Sequence, residues 1–156
     1  MCIISLMTTQ SQLLKMLNEA LKLEHAAALQ YLAHAELISG LDSGPIIEQL
    51  KDTAKDEQGH AEVLRGLIGD YLQAEPTMDI APTHKAAGIS DILQTNIADE
   101  KNAVDVYKKI LVAIYALKAS NTPELNYIYW TFEHAIRHII MEEEQHIAEL
   151  TKLLGF

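Results

Sequence analysis

Two segments carry the same ionisable pair at the same spacing: Glu57-Gln58-Gly59-His60 and Glu143-Glu144-Gln145-His146. Residues i and i+3 share one face of a helix, so each segment can aim a carboxylate and an imidazole at one point. Both pairs fall inside apolar stripes, between Ala54 and Leu64 and between Ile139 and Leu150. Two single acids do the same, Glu24 between Leu21 and Ala28 and Glu100 between Ile97 and Val104. A carboxylate facing a core is costly unless it is paired or bound to a metal. Four carboxylates and two imidazoles are hard and borderline ligands, suited to Fe(II), Mn(II) or Zn(II) and unsuited to Cu(I) or a sulfide cluster. Two divalent ions would balance the four negative charges. One acid from each half, Glu57 and Glu143, can bridge. Glu24 with His60, and Glu100 with His146, can then bind terminally, leaving open positions for O2 or peroxide.

The elements that must position these residues are helices. Gly40 to Pro45 and Ser120 to Glu124 carry turn and cap signals, with Ser43 a candidate N-cap and Pro45 and Pro123 suited to first turns. Residues 74–88 contain Pro76, Pro82 and Gly88 and form the only long irregular stretch. Helices are therefore expected at about 9–39, 45–73, 90–119 and 123–154, within a single domain spanning 1–156. Each carries a stripe at 3.6-residue spacing: Leu13, Leu17, Leu21, Ala28, Leu32 and Ala35 in the first, and Leu125, Phe132, Ile136, Ile139, Ile147 and Leu150 in the fourth. No segment alternates with period two. The expectation is an all-α four-helix bundle of two antiparallel hairpins joined by a long crossover.

Tyr31 follows Glu24 by seven residues and Tyr107 follows Glu100 by seven, so the halves read as a repeated hairpin. At ~1.5 Å per residue, each hairpin brings its acids to one level within ~5 Å, and the second hairpin extends past the first by about one turn or slightly more. A link of about 15 residues spans up to ~50 Å, enough to run the length of the bundle and set the second and third helices parallel. A slack antiparallel link satisfies the same length.

Composition narrows the class. The chain has 156 residues, 49% hydrophobic and 22% charged, which is an ordinary globular balance. With 22 acidic and 12 basic residues the formal charge is −10, which argues against nucleic acid and suits cations. One cysteine, Cys2, excludes an internal disulfide and a cysteine-built metal site. The apolar start, Met1 to Met7, has no preceding basic residue and is too short for a signal core. No run is long enough for a membrane helix, so the cytoplasm is the expected compartment.

The order Glu, Glu-x-x-His, Glu, Glu-x-x-His on four helices with a long middle crossover resembles the ferritin-like superfamily, bacterioferritins in particular. The resemblance runs from about residue 9 to 154. It implies that Glu24, Glu57, His60, Glu100, Glu143 and His146 are the six ligands of a di-iron ferroxidase centre within one chain. It also implies two iron ions per chain, with Mn or Zn as alternatives, and oxidation of Fe(II) by O2 or peroxide in iron handling, storage or detoxification. Tyr31 matches the tyrosine near that family's site. Gln58 stands where bacterioferritins carry their haem-ligating Met, so no haem is expected. Ten residues follow His146, leaving no fifth helix and arguing against the family's large cage. Ala103 replaces the additional glutamate of rubrerythrins, and the basic tails of starvation-induced miniferritins are missing. A homodimer or larger homo-oligomer is expected. Two other functions use the same ligands: a di-iron hydroxylase acting on an organic substrate, which needs an apolar pocket, or a miniferritin-like metal-binding assembly without turnover.

Other polar residues read more plainly. Tyr31 and Tyr107 suit core tyrosines bonded to a carboxylate, with Tyr31 also the candidate for a catalytic role. Asn96 either orients a ligand histidine or fills the core. His134, His138 and Glu142 form an i,i+4 ladder that suits a solvated face better than a second metal site. His25, His34 and His84 receive no functional reading, and Trp130 suits core or interface.

Overall fold

The computed structural model describes residues 9–155, apart from the side chains of residues 124–126. Cys2, the Met1–Met7 segment and the place of Leu125 in its stripe lie outside the described residues. The elements are α1 (Gln10–Leu37), α2 (Ser43–Gly66), a single π turn (Leu67–Tyr71) that continues α2, α3 (Ile89–Ser120) and α4 (Pro123–Leu153). No strand occurs among the described residues.

Local chemistry sets the ends. Thr9 caps α1 in a reciprocal pair: its hydroxyl accepts from Gln12 N at 3.2 Å, and its own N–H donates to Gln12 Oε1 at 2.7 Å. Between α1 and α2 the backbone turns left-handed at Gly40 (φ 115°) and again at Asp42 (φ 63°). Ser43 is not the cap: its N–H closes a turn onto the Gly40 carbonyl at 3.4 Å, so Asp42 takes the cap position and Ser43 begins the helix. Pro45 sits within the first turn, as its fixed φ favours. Thr122 precedes Pro123 in the same role before α4.

Packing divides the bundle into three layers. At one end the first half of α1 (Leu13, Leu17, Leu21) meets Leu64 of α2 and Ile68 of the π turn, the second half of α3 (Tyr107, Ile110, Ile114) and the first half of α4 (Phe132, Ile136). At the other end Tyr31 and Ala35 of α1, with Ile38 just after it, meet Leu50 and Ala54 of α2, Ile92 and Leu93 of α3, and Leu150 of α4. Between these apolar clusters lies a layer of buried acids and histidines. Leu32 is not in the core but 38% exposed, because Tyr31 takes the inward position beside it.

The crossover's path settles the topology. Thr77 N donates to Asn18 Oδ1 (2.8 Å), Ala81 N to the Lys22 carbonyl (3.0 Å), and His84 N to Gln30 Oε1 (2.6 Å). The link thus climbs α1 in the direction of α1 itself, about 18 Å over some twelve residues. It delivers α3 to the end where α2 began, so α2 and α3 are parallel and the slack link is excluded. Beyond the buried acids, α3 and α4 run on for about 20 residues toward their shared turn, against about 14 for α1, an overhang of ~9 Å. Trp130 (54% exposed) and Tyr127 stand there, so Trp130 is not a core residue. Among the described residues no helix is long and apolar enough to cross a membrane.

Candidate metal centre

All six residues picked out by spacing converge in the middle layer, each no more than 3% exposed. They form two overlapping sets whose ligand atoms lie within 4.8 Å of one another: Glu24, Glu57, His60 and Glu143, and Glu57, Glu100, Glu143 and His146. Glu57 and Glu143 belong to both. His60 Nδ1 lies 3.2 Å from Glu57 Oε2, 3.5 Å from Glu143 Oε1 and 3.6 Å from Glu24 Oε2. His146 Nδ1 lies 3.1 Å from Glu143 Oε2, 3.2 Å from Glu57 Oε1 and 3.6 Å from Glu100 Oε1. The hairpin repeat therefore appears as near two-fold symmetry about the pair Glu57/Glu143, with the imidazole rings 6.0 Å apart.

The outward nitrogens are held too. His60 Nε2 donates to Glu142 Oε2 at 3.0 Å, and His146 Nε2 donates to Asp56 Oδ2 at 3.3 Å. Each helix thus anchors the other's histidine through the residue just before its own Glu-x-x-His. A carboxylate only accepts, so it keeps the proton on Nε2 and aims Nδ1 at the centre. Spacing gave no hint of Asp56, and Glu142 belongs to this arrangement as well as to the α4 ladder. The tyrosines exchange hairpins in the same way: Tyr31 of α1 donates to Glu100 Oε1, and Tyr107 of α3 donates to Glu24 Oε1.

Electrostatics show what the protein alone leaves unbalanced. Burial and the neighbouring Glu143, Glu24 and Glu100 push the Glu57 carboxyl well above the carboxylate range. Burial likewise raises Glu100, to about 8, against the lowering effect of His146. Burial also opposes ionisation of Glu143, but hydrogen bonds from His146 and His60 outweigh it and bring its pKa down to about 2. Burial disfavours charge on both imidazoles, yet the surrounding carboxylates hold His60 and His146 well above the ordinary histidine value. Burial and the adjacent Glu100 and Glu24, respectively, raise the phenols of Tyr31 and Tyr107.

The residues fit a cation. Glu24 Oε2 and Glu57 Oε1 are buried without a hydrogen-bond partner, although His146 Nδ1 stands near the second. Carboxylate oxygens are acceptors only, and unpartnered ones are rare inside proteins. Two such atoms, in two four-residue sets that share their central acids, suit two divalent ions side by side.

Asn96 contacts neither His60 nor His146. It donates to the Ile92 carbonyl (2.8 Å), accepts from Gln30 (3.0 Å) and meets His34 Nδ1 (2.9 Å). His34 in turn meets the His84 carbonyl at 3.0 Å, and Asp99 meets both Gln30 and His84. His34 and His84 thus belong to a polar network that ties the crossover to the bundle. His25 Nδ1 donates to the crossover carbonyl of Asp79 at 2.9 Å. Gln58 is exposed on the outer face of α2.

A family model described as the ferritin-like domain matches residues 14–123, and the chain belongs to that family. The match ends before the body of α4, so Glu143 and His146 stand outside the matched segment. Among solved structures, a ferritin-like di-iron-carboxylate protein from Bacillus anthracis superposes with a TM-score of 0.80 at 24% identity, covering 92% of this chain and 96% of that one. Rhodobacter capsulatus bacterioferritin, with a metal-free dinuclear site and haem iron, gives 0.78 at 21% identity over 96% and 87% of the two chains. A dodecameric thioferritin from Bacteroides fragilis, described as bacterioferritin-related, gives 0.78 at 23% over 96% and 88%. At these identities the superpositions speak for the fold. No curated protein matched the sequence.

Proposed function

We propose that the chain takes up two iron ions and oxidises Fe(II) with O2 or peroxide, as a ferroxidase in iron handling or detoxification. Glu57 and Glu143 would be shared, Glu24 and His60 would complete one position, and Glu100 and His146 the other. The observation that carries this reading is the pair of overlapping ligand sets with two unpartnered carboxylate oxygens facing them. Two Fe(II) together supply the two electrons that reduce O2 to hydrogen peroxide, or hydrogen peroxide to water, with two protons taken up. The protein's own part is to hold Nδ1 of both histidines inward and to exclude bulk water with an apolar cluster on either side. Tyr31 and Tyr107 donate their phenolic protons to Glu100 and Glu24, and of the two only Tyr31 also lines the small cavity beside the centre.

The space beside the centre supports a ferroxidase over a hydroxylase. The cavity lined by Glu24, Tyr31, Glu57, Glu100 and Glu143, under Pro82 and His84 of the crossover, holds ≈ 70 Å³. That admits O2, peroxide or water. Pockets that bury a drug-sized organic ligand measure about 300–1,000 Å³. Exposed apolar side chains, among them Leu29, Leu37 and Val112, support a homo-oligomer, and one structural neighbour is described as dodecameric. The single cysteine places no demand for an oxidising compartment, which suits the cytoplasm.

The test is to add Fe(II) to the metal-free chain without oxygen, admit O2, and follow ferric absorbance. Saturation at two irons per chain and repeated oxidation of further Fe(II) are expected. Oxidation that stops after one cycle would instead describe a metal-holding assembly. Failure to bind two ions, or a Glu57→Ala/Glu143→Ala variant that oxidises Fe(II) at the unaltered rate, would overturn the assignment.

A further inference from the structure

We propose that His134 and His138, with Glu142, form a separate, solvent-facing site for a divalent transition-metal ion in the groove between α2 and α4. The three residues recur at four-residue intervals on α4 and so share one helical face. That face does not project from a convex surface. It lines a groove of ≈ 470 Å³, whose opposite side is formed by Lys55, Asp56, Gly59, His60 and Val63 of α2. Gly59 meets nothing where a Cβ would stand, so the groove stays open above the ladder.

Chemistry favours a cation here, and a borderline one. Asp56 and Glu142 repel anions, and the one ammonium that lines the groove, Lys55 Nζ, is bonded to Asp52 at 2.6 Å. Two imidazoles a helical turn apart chelate Fe(II), Co(II), Ni(II) or Zn(II), whereas Mg2+ and Ca2+ want oxygen. Glu142 is already aligned: its Oε2 lies 3.1 Å from His138 Nδ1 and 3.0 Å from His60 Nε2. His138 is 60% exposed and His134 is exposed, so both rings are free to turn toward an ion, with water filling the remaining positions.

The repeat supplies an internal contrast. Superposing Glu57 on Glu143 places Glu48, Asp52 and Asp56 of α2 opposite His134, His138 and Glu142 of α4. The α2 ladder is all oxygen, and the imidazoles occur on α4 alone. The proposed site is therefore a property of one helix and not a by-product of the symmetry that builds the buried centre.

Zn(II) binding to the intact chain, by calorimetry and equilibrium dialysis, decides it. The unaltered chain is expected to take three ions, the third held most weakly. His134→Gln or His138→Gln should weaken that third ion by roughly tenfold or more, and the double variant should lose it. The other two ions and the helical circular dichroism should not change. Saturation at two ions, or three ions in the double variant, overturns the proposal while the buried centre stands. A single ion that vanishes in the double variant would leave this site standing and remove the buried one.

Discussion

Each imidazole of the candidate centre is gripped from both sides, by acids of the centre at Nδ1 and by Glu142 or Asp56 at Nε2. Asp56→Asn and Glu142→Gln should each weaken metal binding by about 10–100-fold while leaving helicity intact. Unchanged affinity in both would mean that the outer carboxylates do not orient the rings. The six candidate ligands were legible because a helix converts sequence spacing directly into facing. Asp56 was not, since its role depends on α2 lying beside α4, and the exchange of tyrosine partners between hairpins was hidden for the same reason. Titration gives a second expectation. Glu57 and Glu100 have raised pKa values, about 8 for Glu100, so the folded metal-free chain keeps protons that the unfolded chain has released above about pH 5. Their stabilising contribution is complete below the ordinary carboxylate range and is lost as pH rises through about 8. The raised values of His60 and His146 act in the same direction above the ordinary histidine range. Metal-free chain should therefore melt at a lower temperature at about pH 8 than at about pH 5.5, and the rise in melting temperature on adding Zn(II) should be larger at the higher pH. The opposite trend in calorimetric melts would contradict the site's protonation.

The crossover is the element whose length could be counted but whose route could not. Its reach allowed a full traverse, yet the path is fixed by side chains far apart in sequence. Gln30 is the hub: its amide donates to Asn96 (3.0 Å) and Asp99 (2.7 Å), and its carbonyl accepts from His84 N (2.6 Å). No periodic signal marks such a residue, because a buried glutamine among alanines and leucines reads as a minor break in the stripe. Gln30→Ala removes all three bonds and leaves a buried asparagine and a backbone N–H short of partners. We expect a loss of about 1–3 kcal/mol, read from denaturant unfolding. Amide exchange should quicken around residues 81–87 and stay slow in α4. Equal loosening of α4 would show that the network supports the bundle as a whole rather than the strap over the small cavity. The π turn at Leu67–Tyr71 was likewise invisible in a stripe that continues unbroken through Leu64 and Ile68.

At the scale of the whole molecule, a charged layer interrupts what would otherwise be one continuous core. The two apolar clusters on either side have the composition and packing of an ordinary bundle, so nothing in the fold itself calls for acids between them. Without a metal, the layer's opposite charges partly compensate, with Glu143, like Glu57, facing both imidazoles and its carboxylate held ionised by them. Two consequences differ in sign. Glu143→Leu alone strips both imidazoles of a counter-charge and should destabilise the metal-free chain by about 3–5 kcal/mol. Replacing all six residues with apolar side chains of similar volume removes every buried charge at once. That variant should be as stable as the unaltered metal-free chain, or more stable by about 1–4 kcal/mol, and its melting temperature should no longer respond to Zn(II). Denaturant unfolding of the three metal-free proteins distinguishes the cases. If the six-fold variant falls below the single one, the layer is a requirement of folding. If it rises above the unaltered chain, these acids and histidines are carried at a cost in stability that only metal binding explains.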